Sequence, residues 1–134
     1  MKMKTIACLI LFGLLVTVSP VCAEEVFDGT KPLLCASVEA LDCDPGVECI
    51  RGIPDVMGAP KFVRIDFEKK EITGPVQTTK IRSMEIDDYQ IVLQGYEIGL
   101  GWTLAIDRAT GSTRTTFAGG NATFIIFGSC TSNL

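Results

Sequence analysis

The stretch from residue 90 to residue 130 constrains the fold most, because its apolar residues recur with the period of a β-strand. Trp102, Leu104 and Ile106 occupy every second position. Since successive side chains of a strand point to opposite faces, this spacing predicts one buried strand face. We expect three apolar-patterned strands here, joined by glycine-marked turns at 99–101 and 119–121, and a hairpin loop at 107–111.

The rest of the chain repeats this strand-and-turn pattern. Residues 32–38 are the expected first strand, and residues 62–73 predict a hairpin. Residues 52–60 have a proline where a helix can start and a glycine where one can stop, so they predict a single helical turn. About seven or eight short strands with regular turns predict an all-β fold, a small antiparallel β-barrel or sandwich in a meander.

The first 23 residues have the three regions of a secretory signal peptide. Lys2 and Lys4 precede an uncharged run, and small residues precede Glu24. A membrane anchor is the alternative, but about fourteen apolar residues fall short of the roughly twenty that span a bilayer. We expect cleavage after Ala23, which leaves residues 24–134 as a single all-β domain, periplasmic or secreted by a bacterium and without stable membrane insertion.

The charge of that domain argues against some partners. The chain has 12 basic and 16 acidic residues. Removal of Lys2 and Lys4 leaves ten basic and sixteen acidic residues, a net charge of about −6. Nucleic acid requires clustered Lys and Arg to neutralise its phosphates. We therefore expect no nucleic-acid partner.

Four of the six cysteines follow the predicted cleavage site: Cys35, Cys43, Cys49 and Cys130. An even number in an exported domain predicts two disulfides, for which three pairings are open. A Pro-Gly turn between Cys43 and Cys49 favours that pair. The remaining bridge, Cys35 with Cys130, would tie the first strand to the last. Zinc binding is the alternative, but the chain has no histidine and no C-x-x-C pair.

The sequence predicts no catalytic, cofactor-binding or metal-binding residue. The absence of histidine excludes Ser-His-Asp and Cys-His catalysis in their ordinary form. A carboxylate-based hydrolase is a distant alternative, with Asp66, Glu68, Glu71, Glu85, Asp87, Asp88 and Glu97 as candidate acids. Asp42, Asp44 and Glu48 could offer oxygen ligands to calcium, but without the twelve-residue loop pattern we interpret them as solvated turn residues. We expect no cofactor.

Trp102 and Asn121 each allow two interpretations. A single tryptophan can form the floor of a ligand pocket or fill a core, and its place beside Leu104 and Ile106 favours the core. Asn121 begins an Asn-Ala-Thr glycosylation acceptor. Because it follows two glycines, we interpret it as a hairpin turn residue.

Several short segments together resemble a family of small exported proteobacterial proteins of unknown function. They are Leu33-Leu34-Cys35-Ala36, Cys43 and Cys49 around Pro45-Gly46, Phe62-x-Arg64-Ile65-Asp66, Leu93-Gln94-Gly95, Trp102-x-Leu104-x-Ile106, Thr110-Gly111 and the final Phe127-Gly128-x-Cys130-Thr131. The resemblance spans nearly all of residues 24–134. It implies export and the disulfides, and it implies no activity.

Two functions of different classes follow from the sequence. In the first, the domain is a non-catalytic binding module that holds a small apolar molecule in a partly open barrel. In the second, it is an envelope protein that binds another protein, as an inhibitor does. The first predicts unfilled space inside the barrel, and the second predicts a filled core with an exposed apolar or acidic patch on one rim. The strand pattern favours a filled core, because so small a barrel holds little besides its own side chains.

Overall fold

The computed structural model of the protein describes residues 27–132, so the predicted signal peptide lies outside the described residues. The described chain is all-β, apart from one short 3-10 turn. The strands are β1 (Leu33–Asp42), β2 (Ile50–Gly52), β3 (Phe62–Asp66), β4 (Glu71–Thr73), β5 (Thr78–Ile86), β6 (Gln90–Glu97), β7 (Leu100–Asp107), β8 (Ser112–Ala118) and β9 (Thr123–Thr131). The 3-10 turn, Pro54–Met57, confirms the helical turn predicted between residues 52 and 60.

Eight of the strands close into an antiparallel barrel, which decides between the barrel and sandwich predictions. Hydrogen-bonded neighbours run in the order β1-β3-β4-β5-β6-β7-β8-β9, and β9 pairs with β1. β2 is an extra edge strand that pairs with the last three residues of β1. The predicted all-β meander is therefore confirmed. Because β9 pairs with β1, the first and last strands of the barrel are not left as free edges, which limits pairing with other chains.

Two details of the strand prediction were wrong. Residues 90–130 contain four strands, because β8 pairs with both β7 and β9 although its sequence is rich in threonine. β1 continues to Asp42, beyond the predicted end at Val38. A bulge between Ser37 and Glu39 interrupts the alternation of apolar residues there, so the pattern ends before the strand does.

Both disulfides form the predicted pairs. Cys35 and Cys130 face each other in register on β1 and β9, with Cα atoms 3.9 Å apart, so this bridge crosses the seam at which the barrel closes. Cys43 and Cys49 close a six-residue separation after β1. Gly46 lies between them with φ +79°, a left-handed conformation that glycine adopts without strain.

The ends of the barrel differ. The closed end is formed by the turns at 67–70, 87–89 and 108–111 together with residues 27–32, and the open end by the segments 53–61, 74–77, 98–99 and 119–122. At the closed end, buried Phe27 covers the interior. Arg108 fixes it there, because its Nε donates a 2.9 Å hydrogen bond to the Phe27 carbonyl and its Nη1 donates to the Asp87 carbonyl.

The buried core fills the closed half of the barrel. Its fully buried side chains are Ile65, Ile91, Leu93 and Ile106. Trp102, Leu104 and Ile106 all point inward, as the alternation on β7 predicts. Between residues 27 and 132 there is no helix of the length and apolar character that crossing a membrane would require.

Candidate functional site

Two adjoining cavities occupy the open half of the barrel. The outer cavity has a volume of about 210 Å³ and the inner one about 160 Å³. Five side chains line both of them: Pro60, Gln77, Glu97, Phe117 and Ile126. The sequence favoured a filled core, and this expectation was wrong for the open half.

The space exists because several inward positions of the open half hold small residues. On β8, Thr115 lies opposite Leu104 and Ile126, which places it on the interior face. On β1, Ala40 lies opposite Ile126 after the bulge. On β5, Thr79 lies opposite the inward-facing Ile72. Side chains of this size do not reach the barrel axis, so the interior stays partly unfilled.

Trp102 forms the floor of the inner cavity. It lies opposite Gly95 in the register of β6 and β7. A Cβ atom on Gly95 would overlap the Cζ2 and Cε2 atoms of the indole and would lie 2.7 Å from the carbonyl oxygen of Lys80 on β5. The indole therefore lies against the backbone of β6 at Gly95, close to β5. Core packing was the favoured interpretation of Trp102, and the structure gives it both roles, since it belongs to the core and lines the cavity.

Two side chains that line the inner cavity each contain a buried polar atom that has no hydrogen-bond partner within residues 27–132. The two atoms are Nε1 of Trp102 and Oγ1 of Thr79. Trp102 is only 4 % exposed. Buried indole N–H groups usually find a partner, and a buried donor without one destabilises the fold.

Glu97 supplies the one ionisable side chain on the described walls of the two cavities. It ends β6 and is half-buried, and its carboxylate forms no hydrogen bond or ion pair with another described residue. Ser37, which lines the inner cavity, is already engaged, since its hydroxyl donates to the Pro60 carbonyl. Neutral polar groups, apolar carbon and one carboxylate therefore make up the chemistry of this site.

The mouth of the outer cavity includes a strained residue. Ile98 forms the β6–β7 turn with Gly99 and has a φ of +47°, a left-handed conformation that costs a β-branched residue free energy. Its side chain is 79 % exposed and lines the outer cavity. Turns of this kind favour Asn-Gly. The chain places an apolar side chain at the mouth instead.

The other candidate acids lie away from the cavities. Asp66 accepts a hydrogen bond from the Lys69 backbone, and Glu71 pairs with Lys80. Glu68, Glu85 and Asp88 are exposed. No group of three or more His, Cys, Asp or Glu side chains that could hold a metal ion occurs in the described part of the chain, and this includes Asp42, Asp44 and Glu48.

Three aspartates hold the backbone at the closed end. Asp87 accepts hydrogen bonds from the backbone N–H groups of Tyr89 and Gln90, and these lower the pKa of its carboxyl group. The bond from the Thr110 backbone lowers the pKa of Asp107 most. The pKa of Asp28 is lowered chiefly by the Thr30 hydroxyl. We interpret these groups as turn-stabilising acids.

Part of the site was visible in the sequence. The sequence indicates Trp102 as either a pocket floor or a core residue, and Glu97 as a candidate acid. Thr79, Thr115 and Ile126 were missed as cavity residues, although small or polar residues at inward strand positions were the available signal.

Comparison with known proteins does not extend this description. No protein-family profile, curated protein or solved structure matches the chain.

Proposed function

We propose that the protein is a non-catalytic binding module that holds a small, mainly apolar molecule in the open half of its barrel. One observation carries the proposal, namely the pair of adjoining cavities that open at one end of an otherwise filled barrel. An eight-stranded barrel has room for its own side chains or for one small ligand. Here the small inward residues leave room for the ligand.

The size of the cavities limits the ligand. An apolar cavity of about 150 Å³ holds a molecule the size of benzene. The inner cavity is comparable to this and the outer one is somewhat larger. A molecule with about two fused rings, or a chain of similar volume, would occupy both.

The residues around the cavities favour binding over catalysis. General acid-base hydrolysis of a glycosidic bond uses two carboxyl groups, and the described walls offer Glu97 alone. Cysteine and lysine are also absent from the walls described for both cavities. A protein with this lining can enclose and orient a molecule, and it lacks the paired groups that proton transfer would use.

The protein is proposed to act outside the cytoplasm, in the periplasm or as a secreted protein. The two disulfides support this, because such bonds form and persist in oxidising compartments. The resemblance to small exported proteobacterial proteins agrees with it. The mass of the protein recovered from an exported fraction tests the location, since cleavage after Ala23 gives a chain that begins at Glu24.

The binding proposal can be tested with tetralin, a neutral bicyclic hydrocarbon. Trp102 is the single tryptophan of the chain, so its fluorescence reports directly on the cavity floor. We expect a saturable change in emission as tetralin is added. The variant Thr115→Leu fills the inner cavity and should weaken binding by at least about tenfold. Thr116→Leu makes the same change at an exposed position of β8 and should leave binding unchanged.

Failure to saturate, or equal affinity of wild-type protein and Thr115→Leu, would reject cavity binding. The alternative function, binding of another envelope protein, has a separate observation in its favour. Val56 and Val76 are 82 % and 92 % exposed, and both lie in segments at the open end. Replacement of both by threonine should abolish capture of a protein partner if this rim is the interface, and it should leave tetralin binding intact.

A further inference from the structure

The two buried polar atoms without partners identify the kind of ligand that the cavity would select. Nε1 of Trp102 can only donate a hydrogen bond, and Oγ1 of Thr79 can donate or accept one. Both side chains line the inner cavity, and neither atom has a partner among the described residues. A ligand atom that accepts hydrogen bonds could satisfy both groups.

We propose that the ligand is a neutral apolar molecule with a carbonyl oxygen that accepts hydrogen bonds from the Trp102 indole and the Thr79 hydroxyl. This inference rests on the proposed function. It adds the polar group that the ligand must have and the end of the cavity at which that group binds.

The position of the indole sets the orientation of the ligand. Nε1 is bonded to Cε2, the indole atom that lies over Gly95 at the floor of the cavity. The carbonyl end of the ligand therefore enters first, and its apolar body extends towards Phe117 and Ile126, which line both cavities. Both polar atoms are buried, although their side chains line the cavity. Small side-chain rotations of the kind that commonly accompany binding bring them into contact with the ligand.

The charge of the site excludes an anionic ligand such as a fatty acid. Glu97 is the single ionisable group on the described walls, and neither of these walls includes a lysine or an arginine. A ligand carboxylate would lose its hydration without gaining a cationic partner, and it would meet a like charge at Glu97. A neutral carbonyl compound avoids both costs.

A matched set of bicyclic compounds tests the inference. Tetralin has no polar group, tetralone adds a carbonyl oxygen, and the carboxylate and the amine of tetralin add a negative and a positive charge at neutral pH. Each compound is titrated into isotope-labelled protein, and the indole N–H signal of Trp102 is followed by nuclear magnetic resonance. We expect tetralone to bind about tenfold more tightly than tetralin. Its carbonyl should also move the indole proton downfield, and the carboxylate should not bind measurably.

Two variants separate the hydrogen bonds from the shape of the cavity. Thr79→Val removes the hydroxyl with little change in shape and should reduce the preference for tetralone while tetralin still binds. Trp102→Phe keeps an aromatic ring on the floor and should remove most of that preference. Because this variant has no indole signal, its affinities are measured from the methyl signals of Ile126 and Ile72, which line the inner cavity.

The results distinguish failure of the inference from failure of the proposed function. Equal affinity for tetralin and tetralone, with an unmoved indole proton, would overturn the inference and leave the binding function in place. Tightest binding of the amine would also overturn it and would assign selectivity to Glu97. If no compound in the set binds, the proposed function fails with it.

Discussion

The indole of Trp102 lies directly over Gly95, its cross-strand neighbour, at a distance that no other residue type allows. This contact sets the floor of the cavity, because the absence of a side chain at Gly95 lets the indole pack against β6. The space above it is then bounded by small side chains such as Thr79 and Thr115. Gly95 thus allows Trp102 to form the floor of the inner cavity.

Gly95→Ala should displace Trp102 and disturb both the fold and the cavity. Its added methyl group would overlap the indole and crowd the Lys80 carbonyl. We expect a loss of about 1–3 kcal/mol in the free energy of unfolding, the usual cost of overpacking a core. Gly101→Ala is the control, since a Cβ there meets only the Ala118 carbonyl at 3.7 Å. Denaturant unfolding of both variants, with the Trp102 emission as the signal, checks the difference, and equal stability would contradict the account.

Ile98→Asn should stabilise the fold and weaken ligand binding. The left-handed backbone at Ile98 suits asparagine, so the free energy of unfolding should rise by about 1 kcal/mol. The same change removes an apolar side chain from the mouth of the outer cavity. Lys70→Asn is the matched control, because Lys70 also has a positive φ but lies at the closed end. It should stabilise the fold without changing the affinity for tetralin. If Ile98→Asn binds tetralin as the wild-type protein does, the side chain is not part of the binding surface.

The two disulfides should differ in their contribution to stability. Their sequence separations are 95 and 6 residues. Since loop-closure entropy grows with the length of the closed loop, removal of the Cys35–Cys130 bridge should cost about 4–5 kcal/mol and removal of the Cys43–Cys49 bridge about 2 kcal/mol. Double alanine variants of each pair, compared by denaturant unfolding, test this. A larger loss of unfolding free energy on removal of the Cys43–Cys49 bridge would contradict the prediction that the Cys35–Cys130 bridge stabilises the fold more.

The aspartates of the closed end should make the protein sensitive to acid. Asp87 and Asp107 have pKa values below the ordinary value of about 4 because backbone N–H groups donate to their carboxylates. Their folded pKa values lie below the unfolded ones, so their stabilising effect is complete above about pH 4 and is lost as the pH falls through the folded values.

The variant Asp87→Asn should therefore flatten the fall in unfolding free energy below about pH 4. Asp88→Asn is the control, since Asp88 is exposed and accepts no hydrogen bond from a described residue. Unfolding curves measured at successive pH values provide the comparison. If the unfolding free energy of Asp87→Asn falls below about pH 4 as steeply as that of the wild-type protein, the Asp87 carboxylate does not contribute to the fall.

The alternation of apolar and polar residues predicted the all-β fold correctly, but it did not predict the unfilled space inside the barrel. Alternation at Trp102, Leu104 and Ile106 identified the inward face of β7, because a strand's periodicity depends only on which side is buried. The pairing of Cys35 with Cys130 followed from the loop that favoured Cys43 with Cys49. The unfilled space in the open half could not be predicted in this way. It depends on which small residues of β1, β5 and β8 lie at the same level along the barrel axis, and that level is set by the strand register.

The bulges show why register could not be inferred. β1 has one between Ser37 and Glu39, and β5 has one between Ile81 and Ser83. Each shifts the inward face by one residue, which reverses the alternation further along the strand. Ala40 lies beyond the β1 bulge, so the alternation at the start of β1 did not predict that it would line the open end of the barrel.

The most direct test of cavity binding is to locate bound tetralin through nuclear Overhauser effects between its protons and those of the protein. The account predicts contacts with the methyl groups of Ile126 and Ile72 and with the indole protons of Trp102, all of which line the inner cavity. Contacts confined to exposed exterior side chains such as Val38, or none under saturating tetralin, would contradict it.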